Sequence, residues 1–166
     1  MKNNKFLISI IIATAVLVGG GIALAKQMTN NSPELTINEQ AEAAVIGDVA
    51  HDWGEIVMDG GNQEQIFTIR NEGSAPLQLY NINTSCMCTT AQLIMGDQQS
   101  PAFGMHNKSQ YIFEVPPQEE AQLKVIFDPA YHGPSGVGPI NRQVQISTND
   151  PANPMLQFMV TGVVRR

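Results

Sequence analysis

Residues 65–90 read QIFTIRNEGSAPLQLYNINTSCMCTT, and this stretch holds both the clearest strand pattern and the two cysteines of the chain. Phe67 and Ile69 alternate with Thr68 and Arg70. The turn formers Asn71, Glu72, Gly73 and Ser74 follow, and then Leu77, Leu79 and Asn81 alternate with Gln78, Tyr80 and Ile82. A period of two on both sides of a turn predicts two strands joined by a short loop. Directly after the second strand comes Cys86-Met87-Cys88, two thiols and a thioether in three residues.

Outward from this stretch, the strand signals continue and helical ones do not. Short apolar segments at 45–49, 53–57, 111–115, 123–127, 144–148 and 156–160 are separated by Asp59-Gly60-Gly61-Asn62, Pro116-Pro117, Asp128-Pro129, the Gly- and Pro-rich 133–139 and Asn149-Asp150-Pro151. The Gly133 to Gly138 stretch reads as a hairpin connection, since Pro134 interrupts it and no helix follows. Nowhere in the domain is a 3.6-residue period sustained. The expectation is an all-β fold, an Ig-like antiparallel β-sandwich of about seven strands, with Trp53, Phe67, Phe127 and Phe158 in its core.

The chain of 166 residues suits one domain plus a targeting segment, and its hydrophobic fraction of 43% is ordinary for a globular protein. Its net charge is −6, and without Lys2 and Lys5 the remainder is more acidic still. Such a surface argues against nucleic acid as a partner. Lys2 and Lys5 precede a charge-free apolar run over residues 6–25, about the length that spans a bilayer as a helix. A basic flank on the N-terminal side places the rest of the chain outside the cytoplasm. Ala23-Leu24-Ala25 has the small-x-small form of a signal-peptidase site. Residues 1–25 are therefore expected to be a transmembrane anchor on the cell membrane, or a signal peptide cleaved after Ala25 to release a secreted or periplasmic domain. Residues 26–43 read as a polar linker, and 44–166 as the sandwich domain.

Five motifs occur in order: His51-Asp52-Trp53-Gly54-Glu55-Ile56; Phe67-x-Ile69-x-Asn71-x-Gly73-x-x-Pro76-Leu77-x-Leu79; Ser85-Cys86-x-Cys88-Thr89; Val125-x-Phe127-Asp128; and Ser147-Thr148-Asn149-Asp150-Pro151 with Gly162. Together they resemble the bacterial Ig-like family known as domain of unknown function 1573, itself related to the sandwiches of major sperm protein and of periplasmic pilus chaperones. The resemblance covers about residues 51–164 and implies the sandwich fold and a bacterial source. Two departures stand out. Met87 occupies the place usually taken by Gly between the cysteines, and the segment 91–122 is longer than the family's usual turn by about a dozen residues.

Three chemistries suit Cys-Met-Cys. On a regular strand, residues i and i+2 share a face with Cα atoms about 6.5 Å apart, near the upper limit for a disulfide, and so short a bridge stabilises little. Thiol–disulfide catalysis ordinarily uses Cys-x-x-Cys at a helix N-terminus, which is not signalled here. Two thiolates on one strand face converge readily on a soft ion, Cu(I) first and Zn(II) next. In that reading Cys86 and Cys88 are the primary ligands, and Met105 or His106 closes the site from the long segment. Buried cysteines and methionines also serve simply as core filling. Elsewhere His51 and His132 read as isolated surface histidines, and Asp48, Asp52, Glu55 and Asp59 lack the spacing of a calcium loop. No nucleophile–base motif is present. The sequence thus predicts a non-enzymatic extracytoplasmic binding or structural module with an unknown protein partner, with Cu(I) binding as the alternative and thiol redox as a third.

Overall fold

A computed structural model describes Thr14, residues 35–106 and residues 110–166 of the chain. Apart from Thr14, the expected N-terminal anchor or signal segment lies outside these residues. Among the described residues no helix is long and apolar enough to cross a membrane.

Ten strands are described, three more than the sequence pattern suggests: β1 (Ala43–Ile46), β2 (Ala50–Val57), β3 (Gln63–Asn71), β4 (Leu77–Thr84), β5 (Thr89–Met95), β6 (Gln98–Gln99), β7 (Phe113–Val115), β8 (Glu120–Phe127), β9 (Gly138–Thr148) and β10 (Met155–Arg165). They form two five-stranded sheets, in the orders β1-β3-β8-β5-β6 and β2-β10-β9-β4-β7. The strands with no counterpart among the segments read from sequence are β5, an inner strand between β8 and β6, and β6, whose two residues leave no periodic trace. One pairing departs from the expected antiparallel pattern, because β2 runs parallel to β10, with a register shift between Thr161 and Val163.

The strand pattern is read correctly by burial in β3 and β8, where Phe67, Ile69, Leu123, Val125 and Phe127 all point inward. Phe67 of one sheet meets Phe158 of the other with ring centroids 4.9 Å apart, so the core lies between the sheets. Trp53 is only partly buried and packs at the core's border. In β4 the alternation breaks. Asn81 takes φ 49 and the register with β9 shifts between Tyr80 and Asn83. One residue in the left-handed region reverses the phase of the strand, so Ile82 and Thr84 turn inward where simple alternation has Asn81 inside. This bulge aims the end of β4, and with it the cysteine segment.

Neither loop around the central strands makes a hairpin. Residues 72–76 carry the chain from one sheet to the other, and the Gly133–Gly136 3₁₀ turn does the same between β8 and β9, contrary to the hairpin expected there. β8 and β9 belong to different sheets, each flanked there by other strands, so the connection crosses between layers and does not fold back as a hairpin. Residues 35–43 are tied to the sandwich. Thr36 N–H donates to Gln78 Oε1 (3.0 Å), Asn38 N–H to Asn149 O (3.0 Å) and Ala43 N–H to Asp150 Oδ2 (3.0 Å).

Asp150 sits at a buried junction. Its burial opposes ionisation, but the Ala43 and Ala152 amides and Asn153 donate to the carboxylate and hold its pKa below the ordinary value. A depressed native pKa contributes stability above the unfolded-state value of about 4, and that contribution is lost as pH falls through the lower native value. Asp150→Asn should therefore be less stable than the parent at about pH 6, with the gap narrowing toward about pH 3. Urea midpoints across that range check this, and parallel curves for the two proteins would contradict it.

Candidate functional site

The cysteines do not lie on a regular strand. Cys86 and Cys88 occupy the link between β4 and β5, where the Thr89 N–H donates to Cys86 O (3.2 Å) and closes a β-turn with Met87 and Cys88 at its centre. The buried Thr84 hydroxyl lies 3.0 Å from Cys86 O and 2.9 Å from Thr89 O, bracing the turn from beneath. Ser85 is bonded to the Gln143 backbone on both sides, and the Asp128 N–H donates to Cys88 O (2.9 Å). The turn shortens the Cα–Cα distance to 5.3 Å, against about 6.5 Å on a strand, and the two sulfurs are joined as a disulfide.

The two sulfurs have different surroundings. Cys88 is 2% exposed and packs with Ile56, Met58, Phe127, Ile140 and Val164, whereas Cys86 is half-buried at the border of that cluster. The Arg142 Nε–H donates to Cys88 Sγ at 3.2 Å, with the guanidinium 5.8 Å from the centre of the Phe127 ring. Trp53 stacks on the Phe127 ring, centroids 5.8 Å apart. Partial burial lowers the pKa of Arg142, because it desolvates the cation. The ion pairs among the described residues join Arg70 to Glu120, Lys124 to Glu64 and Arg165 to Glu55, and none involves Arg142. An anion on Cys88 would give this cation its counter-charge. On the other side, His132 Nε2 lies 3.4 Å from Cys86 Sγ, and the His132 ring is itself packed edge-on against Tyr131.

The expected donor set is thus brought together in part. Cys86 and Cys88 are adjacent but bonded to each other. Met105 and His106 are exposed in a turn beyond Phe103, whose backbone bridges Ala91. The imidazole that reaches the sulfurs belongs to His132, with its ligand nitrogen and both sulfurs within 4.8 Å of one another. His132 reads as an isolated surface histidine in sequence, and Arg142 carries no motif at all. They stand 46 and 54 residues from their sulfur partners and meet them only because β8, β9 and the β4–β5 turn end together. Clefts of about 410 Å³ beside Thr68 and Met95 and about 240 Å³ beside Tyr80 and Asn81 lie apart and are lined by neither thiol nor imidazole.

Fold and site together define a two-sheet β-sandwich that carries a paired-cysteine turn at one end. Residues 45–101 match the family described as protein of unknown function (DUF1573), the family that the sequence motifs resemble. The match includes both cysteines and stops before His132 and Arg142. No curated protein matches the chain. A solved structure of a protein of unknown function from Porphyromonas gingivalis W83 superposes with a TM-score of 0.58 at 24% identity, covering 80% of this chain and 51% of that one. The present chain therefore spans about half of that protein, and the likeness is one of fold. The PapD-like domain 7 of human CEP192 gives a TM-score of 0.43 at 11% identity, covering 83% of this chain and 95% of that one. The E. coli chaperone DraB gives 0.42 at 9% identity, covering 75% and 55%.

Proposed function

We propose that this chain is a non-catalytic, Ig-like binding module held outside the cytoplasm, and that it meets a partner protein at the end bearing Cys86 and Cys88. The observation that carries this reading is a rim of exposed apolar side chains at that end. Val57 closes β2, Met87 tips the cysteine turn, and Tyr131 and Val137 flank the Gly133–Gly136 turn. Register places them together in the fold: Val57 pairs with Arg165, Val164 with Gly138, and Thr89 with Phe127. Exposed apolar groups gathered around a braced, buried base are what partner contacts use, whereas scattered ones need no explanation. The apolar, charge-free residues 6–25 behind Lys2 and Lys5 support the extracytoplasmic placement.

A photo-crosslinking residue at Met87 in the expressed full-length chain should yield discrete adducts with a cellular protein. The same group at Met155 should not, although Met155 is as exposed (56% against 53%) and begins β10 at the opposite end. Equal labelling from both positions would remove the reading.

The soft-metal alternative has less support from the geometry. Both sulfurs are spent on each other, and a guanidinium donates to one of them.

A further inference from the structure

We infer that Cys86–Cys88 is an exchangeable disulfide that accepts electrons from a dithiol of the partner protein, with Cys86 the sulfur attacked and Cys88 the sulfur released. The inference rests on the proposed binding end and gives that end a chemistry. Three observations set the direction of exchange. Cys86 is the half-buried cysteine at the apolar rim, while Cys88 is buried in the cluster that holds Phe127, Ile140 and Val164. The Arg142 Nε–H already points at Cys88 Sγ. His132 stands at Cys86 Sγ, where a thiol must take up or give up a proton. Exchange is favoured by access to the attacked sulfur and by a stabilised leaving thiolate, and this site supplies each at a different cysteine.

The step balances as follows. A partner thiolate attacks Cys86 Sγ, a mixed disulfide forms, and the Cys86–Cys88 bond breaks. Its electron pair leaves on Cys88 as a thiolate facing Arg142. The partner's second thiolate then attacks its own sulfur in the mixed disulfide and expels Cys86. Cys86 and Cys88 end as thiols, the two protons coming from the partner's thiols through solvent or His132. Two electrons pass to the pair, and the partner dithiol becomes a disulfide. The braced turn keeps the released thiolate beside Cys86, so the reverse closure is fast and the exchange stays reversible.

Reduced glutathione, a monothiol probe, tests the direction on the unmutated full-length chain. The oxidised protein is mixed with glutathione, alkylated rapidly with iodoacetamide and mapped by peptide mass. Glutathione is expected on Cys86 and the alkyl group on Cys88, by about tenfold or more over the opposite assignment. Arg142→Leu should slow the opening about tenfold and Arg142→Lys should recover part of it, since the leaving thiolate loses and then regains a cation. Glutathione on Cys88, equal distribution over both sulfurs, or an unchanged rate in Arg142→Leu would overturn the inference. The mapping needs no variant, so a folding defect cannot obscure it. If the Met87 crosslink persists while the mapping fails, the binding reading survives and the exchange chemistry alone is lost.

Discussion

Asn71→Ala is expected to destabilise the chain by about 3–5 kcal/mol, because it strips partners from several buried backbone groups at once. Asn71 is completely buried. Its Nδ2 donates to Ala75 O (2.8 Å) and Val115 O (2.9 Å), while its Oδ1 accepts from Gly73 N–H (3.0 Å) and Glu42 N–H (3.5 Å). One side chain thus ties β3, the crossing loop, β7 and residue 42 to one another. Truncation takes the side-chain donor away from both buried carbonyls, and each orphan so made costs about 1–3 kcal/mol. Asn71→Asp separates the two roles, since it keeps the acceptor and turns both donors into oxygen opposed to carbonyl oxygen. It should therefore be no milder than the alanine. Urea unfolding with an unchanged slope and a lower midpoint is the expected record, and a loss under about 1 kcal/mol would show that the junction relaxes.

Gly73→Ala is the second large effect, about 2–4 kcal/mol, and it acts by volume at the same junction. A Cβ on Gly73 would run into the Gln40 carbonyl oxygen and come within 2.7 Å of Glu42 N and 3.0 Å of Ala41 C. All three are backbone atoms, which cannot swing aside as a side chain can. Two of them are also bonded where they stand: Gln40 O accepts from Ser74 N–H (2.9 Å) and Ala75 N–H (3.1 Å), and Glu42 N–H donates to Asn71 Oδ1 (3.5 Å). Relief of the clash must therefore break hydrogen bonds or lift residues 40–42, which carry the buried Ala41. The two variants share a partner, as Gly73 N–H donates to Asn71 Oδ1, so the double variant should lose less than the sum. Additive losses in that cycle would mean the residues act separately.

The same junction shows what sequence can and cannot convey. Asn71 and Gly73 are legible as turn formers and as family motif residues, yet their actual partners come from residues 40–42, 75 and 115. Those contacts follow from tertiary packing, which no local pattern encodes. The alternation that announces β3 and β8 is legible because each strand has one face on the core. The edge strand β6 is too short to show a period, and the parallel partnership of β2 with β10 depends on where the chain returns. In β4 a single left-handed residue, Asn81, inverts the inside and outside positions that alternation assigns.

At the candidate site the same division holds. Cys86 and Cys88 are conspicuous in sequence, but a strand reading separates their Cα atoms by about 6.5 Å and so favours a shared metal over a bond. The turn braced by Thr84 changes that distance, and the disulfide follows. His132 and Arg142 reach the sulfurs from the far side of a sheet crossing, so spacing carries no signal for them. The Gly- and Pro-rich stretch after His132 is visible, and what it marks is the crossing that delivers the imidazole.

The most direct measurement is thiol accounting on the full-length chain isolated without reductant, denatured and alkylated before and after reduction. Intact mass should show no alkylation before reduction and two alkylated sulfurs after it, since the chain has only Cys86 and Cys88. Two alkylated sulfurs before reduction would contradict the paired-cysteine turn, and with it the chemistry proposed for that end of the sandwich.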